Sequence, residues 1–199
     1  MKPFLSRSLL SILLFLLSYP LYAGEGKANM ALVSDYILRG ASASNNNSAL
    51  QLGYEYDYNS AWSVGSWLST VPSGYEYDLY ARYGHEFGSW AYSTGVIYYG
   101  YTGAASAPAE LNLAVSYYGL SLMASRGEGV TYDELHYEIS FFDTALRLHY
   151  GSNGTDPDYA VYLMKEFGGI DVGVILATKI DSVSTLATDV YALSISKSF

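Results

Sequence analysis

From Ala28 to the C-terminus, apolar and polar residues alternate over segments of about ten, divided by turn residues. A period of two is the signature of a β-strand with one face in each environment. The pattern predicts twelve strands: 28–40, 47–58, 62–70, 75–86, 89–101, 109–117, 120–126, 132–141, 144–151, 158–167, 170–179 and 188–199. Tilted strands of this length cross a bilayer. The connections alternate as well. After even strands they are short, at Asn59-Ser60-Ala61, Phe87-Gly88, Tyr118-Gly119, Phe142-Asp143 and Gly168-Gly169. After odd strands they are mostly longer and polar, as at 41–46, 102–108 and 152–157. An even number of strands, short turns on one side and longer loops on the other is the layout of an outer-membrane barrel.

Register tests this layout, because a slip of one residue exchanges the two faces of a strand. The Tyr118-Gly119 turn sets Tyr117 opposite Leu120, Val115 opposite Leu122 and Leu113 opposite Ala124, while Ser116 meets Ser121 on the other face. The Gly168-Gly169 turn pairs Leu163 with Val174 and Val161 with Leu176. The Phe142-Asp143 turn pairs Ile139 with Leu146 and Tyr137 with Leu148. Tyr54, Tyr56, Tyr58, Trp62, Tyr83, Trp90, Tyr92, Tyr117 and Phe167 cluster near strand ends on the apolar face. Tyrosine and tryptophan favour a membrane–water interface, where the ring is buried and its polar atom stays wet. Lys165 and Lys197 fall on this face near strand ends, where their stems can reach water.

The first 23 residues change the picture of destination. Lys2 and Arg7 precede an apolar run, Leu9 to Leu17, and Leu21-Tyr22-Ala23 offers a small residue before Gly24. The run is too short to span a bilayer, so residues 1–23 are expected to be a cleaved signal peptide and 24–199 the barrel. Composition agrees: charged residues make up 15% of the chain, which holds 22 tyrosines, 19 glycines and no cysteine. A typical globular chain is about one-quarter charged. Without Lys2 and Arg7 the chain keeps 8 basic against 19 acidic residues, a net charge of −11. Nucleic acid is excluded as a partner, because phosphate binding needs a basic surface.

The last segment, Asp189 to Phe199, places Tyr191, Leu193, Ile195 and Phe199 on one face and ends in an aromatic residue. It resembles the C-terminal signal of outer-membrane barrels, which implies the barrel assembly machinery as a partner in biogenesis. Leu32-Val33-Ser34-Asp35-Tyr36 followed by Arg39-Gly40, together with Tyr77-Asp78-Leu79-Tyr80 and Gly95-Val96-Ile97-Tyr98-Tyr99, resembles the TorF-type putative porins of proteobacteria. The likeness runs from about Ala31 to Phe199 and departs from the family at Ala41 to Asn47. It implies a barrel in outer-membrane lipid and a porin role, without a solute.

The faces then supply the candidate chemistry. Asp35, Glu55, Asp57, Glu76, Asp78, Glu134, Glu138, Glu166 and Asp171 are placed inward, against Arg39, Arg82 and Arg147. Carboxylates lining a narrow pore favour cations. Asp35, Arg39, Glu76, Asp78, Tyr80, Arg82, Glu134, His136, Glu138, Arg147 and His149 are the expected pore-lining residues. Glu138 falls opposite Arg147 as an ion pair, and His136 falls opposite His149 with Glu134 one step beyond. That histidine pair is open to three readings: hydrogen-bonded wall residues, a pH-sensitive gate or, with the carboxylate, a metal site. No Gly-x-Ser-x-Gly, His-Glu-x-x-His or phosphate loop marks an enzyme, and no cofactor is called for. The expected function is passive, cation-preferring diffusion of small solutes or ions. A non-conducting structural or surface-interaction barrel is the alternative, and an outer-membrane hydrolase a remoter one.

Overall fold

A computed structural model describes residues 24–102, 108–183 and 186–199; the expected signal peptide, 1–23, lies outside them. Twelve long antiparallel strands close into a barrel: β1 (Glu25–Val33), β4 (Ala49–Asp57), β5 (Trp62–Val71), β6 (Gly74–Phe87), β7 (Trp90–Tyr101), β8 (Ala109–Tyr117), β9 (Leu120–Gly127), β10 (Val130–Phe141), β11 (Thr144–Ser152), β12 (Pro157–Glu166), β13 (Asp171–Ile180) and β14 (Ala187–Ser198). Each strand pairs with its neighbours in sequence, and β1 closes the ring against β14. Closure leaves no open edge, so every strand finds hydrogen-bond partners within the barrel. Two short strands, β2 (Ile37–Leu38) and β3 (Ala41–Ser42), form a separate hairpin.

The expected registers hold: Tyr117 faces Leu120, Leu163 faces Val174, Ile139 faces Leu146, Glu138 faces Arg147 and His136 faces His149. One turn differs from expectation. Phe87 pairs with Trp90, so Gly88-Ser89 makes the reversal rather than Phe87-Gly88. Gly88, with φ 60°, can take the first position of a tight hairpin turn.

Burial is inverted relative to a water-soluble protein. Leu32, Leu113, Leu122 and Leu193 stand exposed on the outer wall, whereas the largest fully buried side chains are Glu76, Asp158 and Ser69. The outer wall carries the expected aromatics at the end holding both termini. A second set, Tyr75, Tyr77, Tyr98, Tyr150 and Tyr159, lies toward the opposite, loop end. Tyr150 and Tyr159 pack there with ring centroids 5.3 Å apart.

At the terminal end, the β10–β11 turn contains Phe142, fully exposed at φ 50°. A bulky side chain in the left-handed region costs roughly 1–2 kcal/mol, and this ring packs on nothing in the protein that would offset it. Phe142→Asn is therefore expected to stabilise the refolded barrel by about 1 kcal/mol, read as a higher urea midpoint. An unchanged or lower midpoint would contradict it.

Candidate functional site

The first strand ends earlier than its alternation suggests. Residues 28–40 were expected to run as one strand, but β1 stops at Val33 and the chain bends into the barrel. The reason is local. Arg39 and Gly40 have φ 50° and 72°, the two positive values of a tight hairpin turn, which folds β2 back on β3. Asp35 fastens the base of this loop, accepting hydrogen bonds from Ser42 Oγ at 2.6 Å and Ser44 Oγ at 2.7 Å. Asp35 and Arg39 thus belong to an inturned loop, 34–48, rather than to a strand wall.

The loop crosses the lumen at the loop end. On one side Tyr36 packs on Trp67 of β5, with centroids 5.3 Å apart, and its hydroxyl lies 3.5 Å from Glu76 Oε1 of β6. In another direction Arg39 donates to Glu110 Oε2 of β8 at 2.6 Å and lies 4.5 Å above the Tyr132 ring of β10. Gly40 abuts Asp158 of β12 and the Thr178 carbonyl of β13 so closely that a Cβ would overlap the Asp158 side chain. Tyr36, Arg39 and Gly40 alone therefore touch six strands around the ring.

The two halves of the lumen differ accordingly. At the loop end, Glu76, Asp158, Glu110 and Asp35 are all at least 96% buried. Toward the terminal end, the Arg82 side chain is half exposed and pairs with Glu55 at 3.0 Å. Lys27 pairs with Asp57 at 2.7 Å in the same half. Between the halves lies a cavity of about 290 Å³ lined by Tyr80, Arg82, Asn112 and Met123. A second hollow, about 200 Å³, lies on the loop side and is bordered by Arg39, Tyr132, Asp158 and Lys179.

Charge pairing leaves a residue of acid. Arg39, Arg82, Arg147 and Lys27 are each held by a carboxylate, the Arg147 pair with Glu138 measuring 2.7 Å. Among the described residues, Asp35, Glu76, Asp78, Glu134 and Asp158 make no ion pair with lysine or arginine. Tyr101 and Tyr36 supply hydroxyls to Glu76, while one oxygen of Asp78 is buried without a partner. These five acids lie in the loop half of the lumen, where Lys179 stands directly opposite Asp158.

The inner faces of β10 and β11 bring the histidines together. The His136 and His149 rings meet edge to face with centroids 4.9 Å apart. His136 Nε2 lies 3.2 Å from Glu134 Oε2, and His149 Nε2 lies 2.8 Å from Asp158 Oδ1. The Tyr132 hydroxyl donates to Asp158 Oδ2 at 2.9 Å. Gly151, between Glu134 and Asp158 in the registers, makes this possible: a Cβ there would overlap the Tyr132 hydroxyl.

The eleven residues singled out from sequence fall into three groups: Asp35 and Arg39 on the loop, Glu76, Asp78, Tyr80 and Arg82 on β6, and Glu134, His136, Glu138, Arg147 and His149 on β10 and β11. Tyr36, Glu110, Tyr132 and Asp158 were missed. Glu110 and Asp158 stand at the starts of expected strands, and extending the registers to those ends would have placed both inward. Tyr36 carried no such signal, because its position depends on the inward bend.

A family model described as a bacterial protein of unknown function, Gcw_chp, matches residues 24–180. No curated protein matches the chain in sequence. Among solved structures, the KdgM porin in complex with disordered oligogalacturonate is similar at TM-score 0.65 and 11% identity, over 88% of this chain and 99% of that one. A second structure of the KdgM porin gives TM-score 0.65 and 12% identity, over 87% and 99%. At such identities the likeness shows the fold: a closed twelve-stranded barrel of the porin type.

Proposed function

The chain belongs to the Gcw_chp family of bacterial proteins of unknown function, and from that premise we propose that it is an outer-membrane, porin-like channel of the TorF type that passes small cations or neutral solutes. The observation that carries this reading is the pairing of an apolar, tyrosine-girdled outer wall with a polar lumen whose carboxylates outnumber its basic groups. With both termini periplasmic, the inturned loop lies at the external mouth. Solutes from outside then meet the loop before the half whose side chains are more exposed. Carboxylates in a narrow passage hold cations in place of lost hydration and repel anions. Oligogalacturonate, the molecule in the KdgM complex, is a poor match for this lumen, since its units carry carboxylates of their own.

The test is reversal potential in a planar bilayer under a KCl gradient. Wild type is expected to show discrete steps and cation preference. Glu76→Gln with Asp78→Asn is expected to lower that preference several-fold. Anion preference in the wild type would overturn the selective reading.

One observation favours a second reading, a barrel that does not conduct: Tyr36, Arg39 and Gly40 of loop 34–48 touch the wall on six strands. A folded, heat-modifiable protein without steps would favour it. The hydrolase reading has less support, since the bonded partners of His149 are Asp158 and Tyr132 rather than a serine.

A further inference from the structure

His149 is almost fully buried, and its two ring nitrogens are treated differently. Nε2 lies within hydrogen-bond distance of Asp158 Oδ1, at 2.8 Å. Asp158 already accepts from the Tyr132 hydroxyl, which itself lies 3.2 Å from Nε2, so the tautomer protonated at Nε2 is the one that suits this carboxylate. Nδ1 then presents a lone pair, buried and without a hydrogen-bond partner. What it faces is another lone-pair donor: Glu134 Oε2, 3.8 Å away. His136 Nε2 completes the group, 3.2 Å from the same carboxylate oxygen. One atom from each of these three side chains lies within 4.8 Å of the others. A buried acceptor left unsatisfied costs about 1–3 kcal/mol, and two facing acceptors cannot satisfy each other.

We propose that Glu134, His136 and His149 bind a divalent transition-metal ion, zinc or one of its neighbours, on the wall of the lumen. Two imidazoles and one carboxylate form a three-ligand set that leaves a fourth tetrahedral position for water or a solute group. With metal–ligand bonds of about 2.0–2.2 Å, donor atoms around one ion stand a little over 3 Å apart; here the separations are 3.2 Å, 3.8 Å and up to 4.8 Å, so the side chains close in on the ion as it binds. Imidazole nitrogen favours zinc, nickel, copper or cobalt over calcium or magnesium, which take oxygen sets. Asp158 on the far nitrogen of His149 is the carboxylate that such a histidine customarily has, fixing tautomer and ring orientation. Tyr132 holds Asp158 in turn. His136, the more exposed of the two histidines, gives the site its side toward the lumen. The other histidine, His85, lines a separate hollow at the terminal end.

The site is tested on tag-free, refolded, chelator-stripped protein, so that no purification histidines compete. Cobalt titration followed by visible absorption, with zinc displacement and calorimetry, is expected to show one ion per chain. His136→Ala with His149→Ala is expected to abolish binding. Asp158→Asn is expected to weaken it about 10–100-fold while leaving the three ligands in place. Heat-modifiable migration on gels confirms that each variant is a folded barrel. Absence of stoichiometric binding by folded wild type would overturn the proposal, as would binding that survives the double histidine replacement. Binding requires no conduction, so this result is independent of whether the barrel is a channel.

Discussion

Replacing the segment between Val33 and Ala49 by a four-residue turn is expected to raise single-channel conductance several-fold. Val33 and Ala49 are already paired across β1 and β4, so a short turn can close this hairpin without disturbing the barrel. The replaced segment contributes Tyr36, Arg39 and Gly40, which together reach β5, β6, β8, β10, β12 and β13. A twelve-stranded barrel is wider than an eight-stranded one, whose side chains alone fill the interior. A crossing loop accounts for burial of acids that would otherwise line water. Conductance steps measured before and after the replacement decide the matter. An unchanged step would mean that wall side chains, such as Tyr80, set the narrowest point.

Arg39→Ala is expected to undock the same loop without shortening it. The guanidinium meets Glu110 at 2.6 Å, and the Glu110 side chain is 96% buried. Removing one partner of a buried pair leaves the other charge uncompensated, at a cost of about 3–5 kcal/mol. The contact with Tyr132 adds roughly 0.5–2 kcal/mol, so the stranded carboxylate dominates the effect. Arg39→Ala with Glu110→Ala is expected to cost less than Arg39→Ala alone, because no charge is then stranded. Hydrogen exchange at the amides of 36–43 reads the docking directly: faster in the single variant, with noisier conductance. The Ala43 amide, which bonds the Tyr36 carbonyl, is the natural reporter. Exchange as slow as wild type would show that Tyr36, Gly40 and the Asp35 fastening suffice to hold the loop.

Both effects concern a loop whose position the sequence does not display, whereas the wall around it was legible. Alternation along each segment fixed which residues face out, because a strand's two faces meet different solvents and every second residue must suit one of them. The short turns then set neighbouring strands against each other residue by residue, which is how Glu138 comes to face Arg147 and His136 to face His149. The same alternation misled at 28–40. Polar and apolar residues continue to alternate past Val33, although Arg39-Gly40 inside that run reverses the chain.

The sequence by itself determined the number of strands, the registers of the β8–β9, β10–β11 and β12–β13 hairpins, the inverted burial and the acidic excess, since each follows from contacts between residues close along the chain or directly across a turn. Only the tertiary structure decided that loop 34–48 enters the barrel, that Glu110 takes Arg39, and that Asp158 turns one nitrogen of His149 away from Glu134. Those arrangements depend on where distant strands stand around a closed ring, and chain-local periodicity carries no record of that distance.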